Sequence, residues 1–162
     1  MKIRCWGSRG SVPVSGRDVT KYGGDTTCIE IVAKSGHMII IDAGTGIRRL
    51  GNHCIENNIS DFSLLFTHAH WDHVMGFPFF RPLQYSKTNI TIQDRKFGSY
   101  STESMLREMM KPPFFPIELE DLNATIRFDK YLNGKFSIGS IDIKTVTTSH
   151  PGGGNAYRFT ED

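Results

Sequence analysis

Met38-Ile39-Ile40-Ile41 is continuously apolar, and Phe62-Ser63-Leu64-Leu65-Phe66 is nearly so. A strand with one wet face alternates apolar and polar residues. An unbroken apolar run is what a strand needs when both of its faces are covered. Two such runs in 162 residues point to a layered fold, with a sheet buried on both sides, and to a chain with enough mass for one real core.

The remaining segments fit that frame. Lys2 to Trp6 reads as a first strand, closed by the loop Gly7-Ser8-Arg9-Gly10-Ser11, and Thr26 to Val32 as a second strand rich in β-branched residues. Gly36 turns the chain into the strand His37 to Ile41. Ile47 to Asn57 has helical spacing, with Gly51 as its weak point. Asn89 to Gln93 is a strand, and Ser101 to Met110 a helix with Ser101 or Thr102 as cap and Glu103 in its first turn. Lys111-Pro112-Pro113 ends that helix. Ala124 to Phe128, Lys135 to Ile138 and Ile141 to Thr148 alternate as half-exposed strands, and Ala156 to Phe159 reads as the first half of a further hairpin. Strands and helices intermix without repeat or linker, so residues 1–162 are expected to form one α/β layered domain.

Composition excludes more than it selects. The net charge of +2 and the absence of a dense Lys/Arg run speak against a broad nucleic-acid footprint. No apolar stretch approaches the ~20 residues of a membrane helix. Cys5, Cys28 and Cys54 form no CxxC pair and are expected to be free thiols in a reducing, cytoplasmic setting.

The chemistry gathers in Thr67-His68-Ala69-His70-Trp71-Asp72-His73, directly after the second apolar run. Three of the six histidines and a carboxylate fall within six consecutive residues. His68 and His70 are two apart, so in extended backbone they project to one side. Asp72 and His73 follow where the chain turns, placed to serve a second ion beside the first. Imidazole and carboxylate together suit zinc, and manganese and iron accept the same donors. His37 and His53 lack a strand-end setting and are read as having no site role.

His-x-His-x-Asp-His after an apolar strand resembles the signature of the metallo-β-lactamase superfamily. Ile41-Asp42-Ala43-Gly44 and Val146-Thr147-Thr148-Ser149-His150 resemble two further conserved strand ends of that family. The resemblance implies an αββα sandwich in which His68, His70 and His150 hold one ion, and Asp72 and His73 contribute to a second. Asp42 would orient the ligands by hydrogen bonding, and Asp72 would also help orient the attacking hydroxide. Taken alone, Asp42 also reads as a turn residue and His150, before Pro151-Gly152-Gly153-Gly154, as a loop residue.

The family's site also needs a bridging carboxylate and a final histidine. Asp162 is the only late aspartate, in a stretch that reads as a turn, and the final histidine has no counterpart. The second sheet is therefore expected to be incomplete. It should leave an apolar face and open edge that another copy of the chain would cover.

Gly7-Ser8-Arg9-Gly10-Ser11-Val12-Pro13 and Tyr22-Gly23-Gly24-Asp25-Thr26-Thr27-Cys28 resemble the branch holding cyclic-phosphate phosphodiesterases and RNase Z. The resemblance implies a phosphodiesterase acting on a cyclic nucleotide or other small phosphodiester by metal-activated hydroxide. A lactonase, thioesterase or β-lactamase is the in-family alternative, and a non-catalytic metal-binding remnant the other. Arg9 and Thr26 are candidate substrate contacts, the glycines reading equally as a tight turn. Phe114 and Phe115 are candidates for an apolar wall over the substrate, or for a connection packed on the core.

Overall fold

The computed structural model describes residues 1–130 and 134–162. Lys2–Gly7 (β1), Cys28–Val32 (β2), Met38–Ile41 (β3), Asp61–Leu65 (β4), Asn89–Asp94 (β5) and Thr125–Lys130 (β8) form a six-stranded sheet in the order β1-β2-β3-β4-β5-β8. The first three strands pair antiparallel, and β3, β4, β5 and β8 run parallel. Lys96–Phe97 (β6) and Tyr100–Ser101 (β7) make a small hairpin. Lys135–Ile138 (β9), Ile141–Thr148 (β10) and Gly154–Thr160 (β11) form a second sheet in the order β11-β10-β9.

The apolar run of β3 divides between two cores. Met38 and Ile40 face one way, with Phe62, Leu64, Ile90 and Ile92, onto the helices Ile47–Glu56 (α1) and Thr102–Met109 (α3). Ile39 and Ile41 face the other way, with Leu65, onto Ile138, Ile141 and Ile143 of the second sheet. Alternate side chains of one strand thus serve opposite layers, which is why the strand reads as apolar throughout.

On α1 the buried residues are Ile47, Leu50, Gly51 and Cys54, the spacing of a single helical stripe. Gly51 is a packing residue there: an added Cβ would lie 3.0–3.1 Å from Phe80, Arg81 and Pro82. On α3, Ser101 is the cap, its hydroxyl accepting from the Ser104 N–H while the Ser104 hydroxyl accepts from Ser101 N–H.

Two expectations change. Gly154–Thr160 pairs back onto β10, Thr148 with Gly154 and Asp142 with Thr160, and so completes a hairpin in place of beginning one. The outer face of the small sheet is mostly polar, carrying Lys135, Ser137, Asp142, Lys144, Thr148 and Arg158, with Val146 its one large exposed apolar residue. Apolar surface is left uncovered on the inner face of the large sheet instead, where Ile3 of the edge strand β1, paired with Ile31 of the inter-sheet core, is 62% exposed because the small sheet does not reach it. Among the described residues no helix is long and apolar enough to cross a membrane.

Candidate metal centre

Parallel strands β3 and β4 end side by side, and the site lies beyond their carboxyl ends, where open α/β sheets bind ligands. β3 ends in Asp42, held at φ 62°, a left-handed conformation that Asp tolerates better than most residues. That turn aims a buried carboxylate back at the end of β4. The Thr67 N–H donates to Asp42 Oδ1 at 2.7 Å, and the Thr67 hydroxyl donates to Oδ2 at 2.8 Å.

Gly44 shows why the Asp-x-Gly motif ends in glycine. A Cβ there would lie 2.3 Å from the Asp72 carbonyl oxygen. Gly76 meets Gly44 in the same way, 2.1 Å from its carbonyl. The turn after β3 is thereby pressed onto Trp71–Val74 (α2), and Ala43 N–H donates to the His73 carbonyl at 2.7 Å.

From this base the histidines converge. One nitrogen from each of His68, His70 and His150 lies within 4.8 Å of the others, and His150 Nε2 is 3.2 Å from His70 Nδ1. That gap is close to the ~3.4 Å edge of a tetrahedron with ~2.1 Å metal–nitrogen bonds. The His68 ring centroid is 3.9 Å from that of His73, 4.5 Å from His150 and 4.6 Å from His70. His150 arrives from the other sheet, at the end of β10, and Asn155 N–H pins its loop by donating to the Thr67 carbonyl at 2.8 Å.

Hydrogen bonding orients two of the rings, His68 and His73. With the Thr67 proton on Asp42, the Thr67 oxygen accepts from His68 Nδ1 at 3.0 Å, leaving Nε2 with its lone pair. Burial, then the neighbouring His73, His70 and His150, pull His68 down to about 4, so it is neutral at pH 7. His73 donates from Nδ1 to Asp42 Oδ2 at 2.8 Å, and its Nε2 lies 3.5 Å from Asp72 Oδ2. Burial pulls His73 down, but the Asp42 hydrogen bond and charge outweigh it and the net shift is upward. Burial likewise pushes Asp72 up, and the Ser11 N–H and His73 more than reverse this, holding it below the usual carboxylate range.

Three residues escaped sequence reasoning. Thr67 bridges Asp42 to the His68 ring, Asn155 latches the second sheet to the first, and Ser11 donates its N–H to Asp72 Oδ2 at 2.8 Å. The glycine-rich loop does bring an N–H to an anion, but that anion is the protein's own Asp72. Ser11 sits at φ 70°, a strained setting for a non-glycine that no sequence pattern announces.

Other expectations are corrected. Thr26 is fully buried: its hydroxyl oxygen accepts from Thr45 N–H at 2.8 Å and its own N–H donates to the Thr45 hydroxyl at 2.9 Å, so it clasps the β3 turn and cannot touch substrate. Arg9, by contrast, is exposed and lines a hollow with Asp18 and Tyr22, a position that leaves its candidacy as a substrate contact as it was. Phe115 stacks edge-on against Phe79 at 5.8 Å and Phe114 is exposed, and neither lines the cavity beside the histidines. Asp162 lies past the end of β11 remote from His150, its carbonyl taking Lys34 Nζ, which excludes it as a bridging ligand in this arrangement.

No model of a known protein family matches the sequence. Solved structures do match the fold. The chain aligns with a diphosphatase from the PhnP family at a TM-score of 0.68 and 16% identity, covering 97% of this chain and 61% of that one. It aligns with the metallo-β-lactamase fold protein YhfI from Bacillus subtilis at a TM-score of 0.67 and 13% identity, covering 98% of this chain and 57% of that one. This is a metallo-β-lactamase fold. A ribonuclease Z from Clostridium acetobutylicum is 27% identical over 156 residues, which cover 89% of this chain and 44% of that protein. The chain thus spans less than half the length of that relative.

Proposed function

We propose that this metallo-β-lactamase fold chain, residues 1–162 as one unit, belongs to a metal-dependent phosphodiester hydrolase. The observation that carries the reading is the convergence of His68, His70 and His150 from two sheets onto one point, beside a second donor pair, His73 and Asp72. Three imidazoles suit a divalent ion of zinc type, and His73 Nε2 with Asp72 offers a place for another. A bound ion would supply Lewis-acid charge for the phosphoryl oxygens and would acidify a water towards pH ~7.

The chain's own groups do the rest. Asp42 and Thr67 fix the His73 and His68 tautomers and hold both rings in place. The Ser11 N–H holds Asp72 ionised and aimed at His73. Asp72, whose carboxylate lies beside His73 Nε2 at 3.5 Å, is the proposed residue that orients the attacking hydroxide. The ribonuclease Z relative and the PhnP-family diphosphatase are by name a nuclease and a phosphatase, both cleaving bonds to phosphorus, which favours a phosphodiester over a lactone, thioester or β-lactam. The three free cysteines agree with a cytoplasmic setting.

The deciding experiment is elemental analysis of the purified chain followed by assay with bis-(p-nitrophenyl) phosphate and cyclic nucleotides. Zinc retained through dialysis and metal-dependent release of p-nitrophenol are expected. A chain that binds metal yet hydrolyses none of these substrates would be the non-catalytic, metal-binding alternative.

A further inference from the structure

A cavity of about 340 Å³ opens directly beside the histidines, and nothing in the proposed chemistry uses it. Its floor and walls come from the same short segments that carry the ligands. Ala69 and Trp71 alternate with His68, His70 and Asp72, and Gly152 lies two residues beyond His150. On α2 the division of labour is plain: Asp72 and His73 turn to the metal centre, while Trp71 and Val74 turn to the cavity. The far wall is Phe97 and Tyr100 of the β6–β7 hairpin together with Met105 and Met109 of α3.

We propose that this cavity holds a planar aromatic ring carried by the alcohol that is esterified to the phosphate, the base of a nucleoside or an aryl group; the proposal rests on the phosphodiester reading of the metal centre. Four observations carry it. The wall is built from aromatic faces and thioethers, the side chains that pack best on a flat π-system. The cavity is at the low end of the ~300–1,000 Å³ of small-molecule sites, room for one ring system and little more. Trp71 is 65% exposed, a large apolar face left open at the edge of a polar site. Glu108 is the one charged group on the wall; it is exposed and paired with Lys111 at 2.6 Å, and a carboxylate so placed has acceptor capacity left for an N–H on a ring's outer edge.

The rim beside His150 supports the same reading. Gly152 and Gly153 both have positive φ, 82° and 85°, so side chains there would be strained. A Cβ on Gly153 would come 3.9 Å from Gly98 N in the turn of the β6–β7 hairpin. The two loops therefore lie close together at the rim, with no side chain on either glycine.

Calorimetric titration of the zinc-loaded chain tests the proposal with adenosine 5′-monophosphate, p-nitrophenyl phosphate and ribose 5-phosphate, the last lacking a ring. The two ring-bearing phosphates are expected to bind at least about tenfold more tightly than ribose 5-phosphate, as base stacking on aromatic side chains would give. A further advantage of the adenosine compound over p-nitrophenyl phosphate would assign Glu108 to the base edge. Met109→Glu, and independently Tyr100→Ala on the exposed hairpin, should erase the ring preference and leave ribose 5-phosphate binding within about threefold. Equal binding of all three ligands, or a preference untouched by both variants in folded protein, would overturn the ring cavity alone. No binding of any phosphate by a chain that retains zinc would overturn the phosphodiester reading and the cavity together.

Discussion

Asp42 Oδ2 lies 2.8 Å from His73 Nδ1, at 1% side-chain exposure, and the same oxygen accepts the Thr67 hydroxyl at 2.8 Å. One buried carboxylate therefore sets the orientation of His73 directly and of His68 through Thr67. Groups that orient ligands by hydrogen bonding typically contribute 10- to 100-fold to metal affinity. Asp42→Asn should weaken zinc binding by about that factor while the far-UV circular dichroism stays native. A competition titration against a chromophoric chelator measures it, and an unchanged affinity would mean that Asp42 is only a turn residue.

Loss of a ligand should cost more than loss of its support. His150→Ala leaves two imidazoles for the ion and is expected to lower zinc affinity by more than about 100-fold, beyond the effect of Asp42→Asn. Because His150 is exposed at the end of β10, its removal should barely change the melting temperature of the metal-free chain. A variant that still retains one equivalent of zinc through dialysis would remove His150 from the site.

Stability of the metal-free chain should peak near the ordinary histidine value of 6.5. His68 is lowered to about 4, so between ~4 and ~6.5 the unfolded chain binds a proton that the folded chain refuses, and stability rises with pH. His73 is raised, so above ~6.5 the folded chain keeps a proton that the unfolded chain has lost, and stability falls as pH climbs through the folded value. Urea midpoints at pH 4.5, 6.5 and 8.5 in the presence of chelator test both limbs. Asp42→Asn should flatten the alkaline limb only, and a loss of the acidic limb in that variant would refute the assignment.

Gly44→Ala should damage fold and site at once. The added Cβ would meet the Asp72 carbonyl at 2.3 Å and the Thr26 hydroxyl at 2.5 Å, both held in place, so α2 has to move. We expect a loss of roughly 2 kcal/mol or more in stability together with weaker zinc binding. Gly10→Ala meets nothing within 4 Å and should leave both properties near wild type. Similar denaturation curves for the two variants would contradict the packing described.

Thiol reactivity should split cleanly. Cys5 is exposed, whereas Cys28 and Cys54 are fully buried. Burial pushes Cys54 up to about 12 and Cys28 well above its usual value, so neither offers thiolate at pH 8. One thiol per native chain should react with Ellman's reagent and three after denaturation. Fast native labelling of two or more would show that the core opens readily.

Local order in the sequence determined a good deal of this protein. The apolar run Met38–Ile41 required cover on both faces, because no other environment keeps four successive apolar side chains from water. His68, His70, Asp72 and His73 were legible because their spacing along one strand end and turn brings them together by local geometry alone. The roles of Thr26, Ser11, Thr67 and Asp162 were settled only by tertiary structure. A buried threonine and a substrate-facing one look alike in sequence, and the difference is whether Thr45 lies against it. Ser11 meets Asp72 across 61 positions through a backbone N–H, a group every residue but proline carries, so no side-chain pattern marks it. The same holds for the cavity wall: Trp71, Tyr100 and Met109 become one surface only when α2, the β6–β7 hairpin and α3 pack together. Periodicity records what each segment must bury, whereas which segments meet depends on long-range packing that local spacing does not encode.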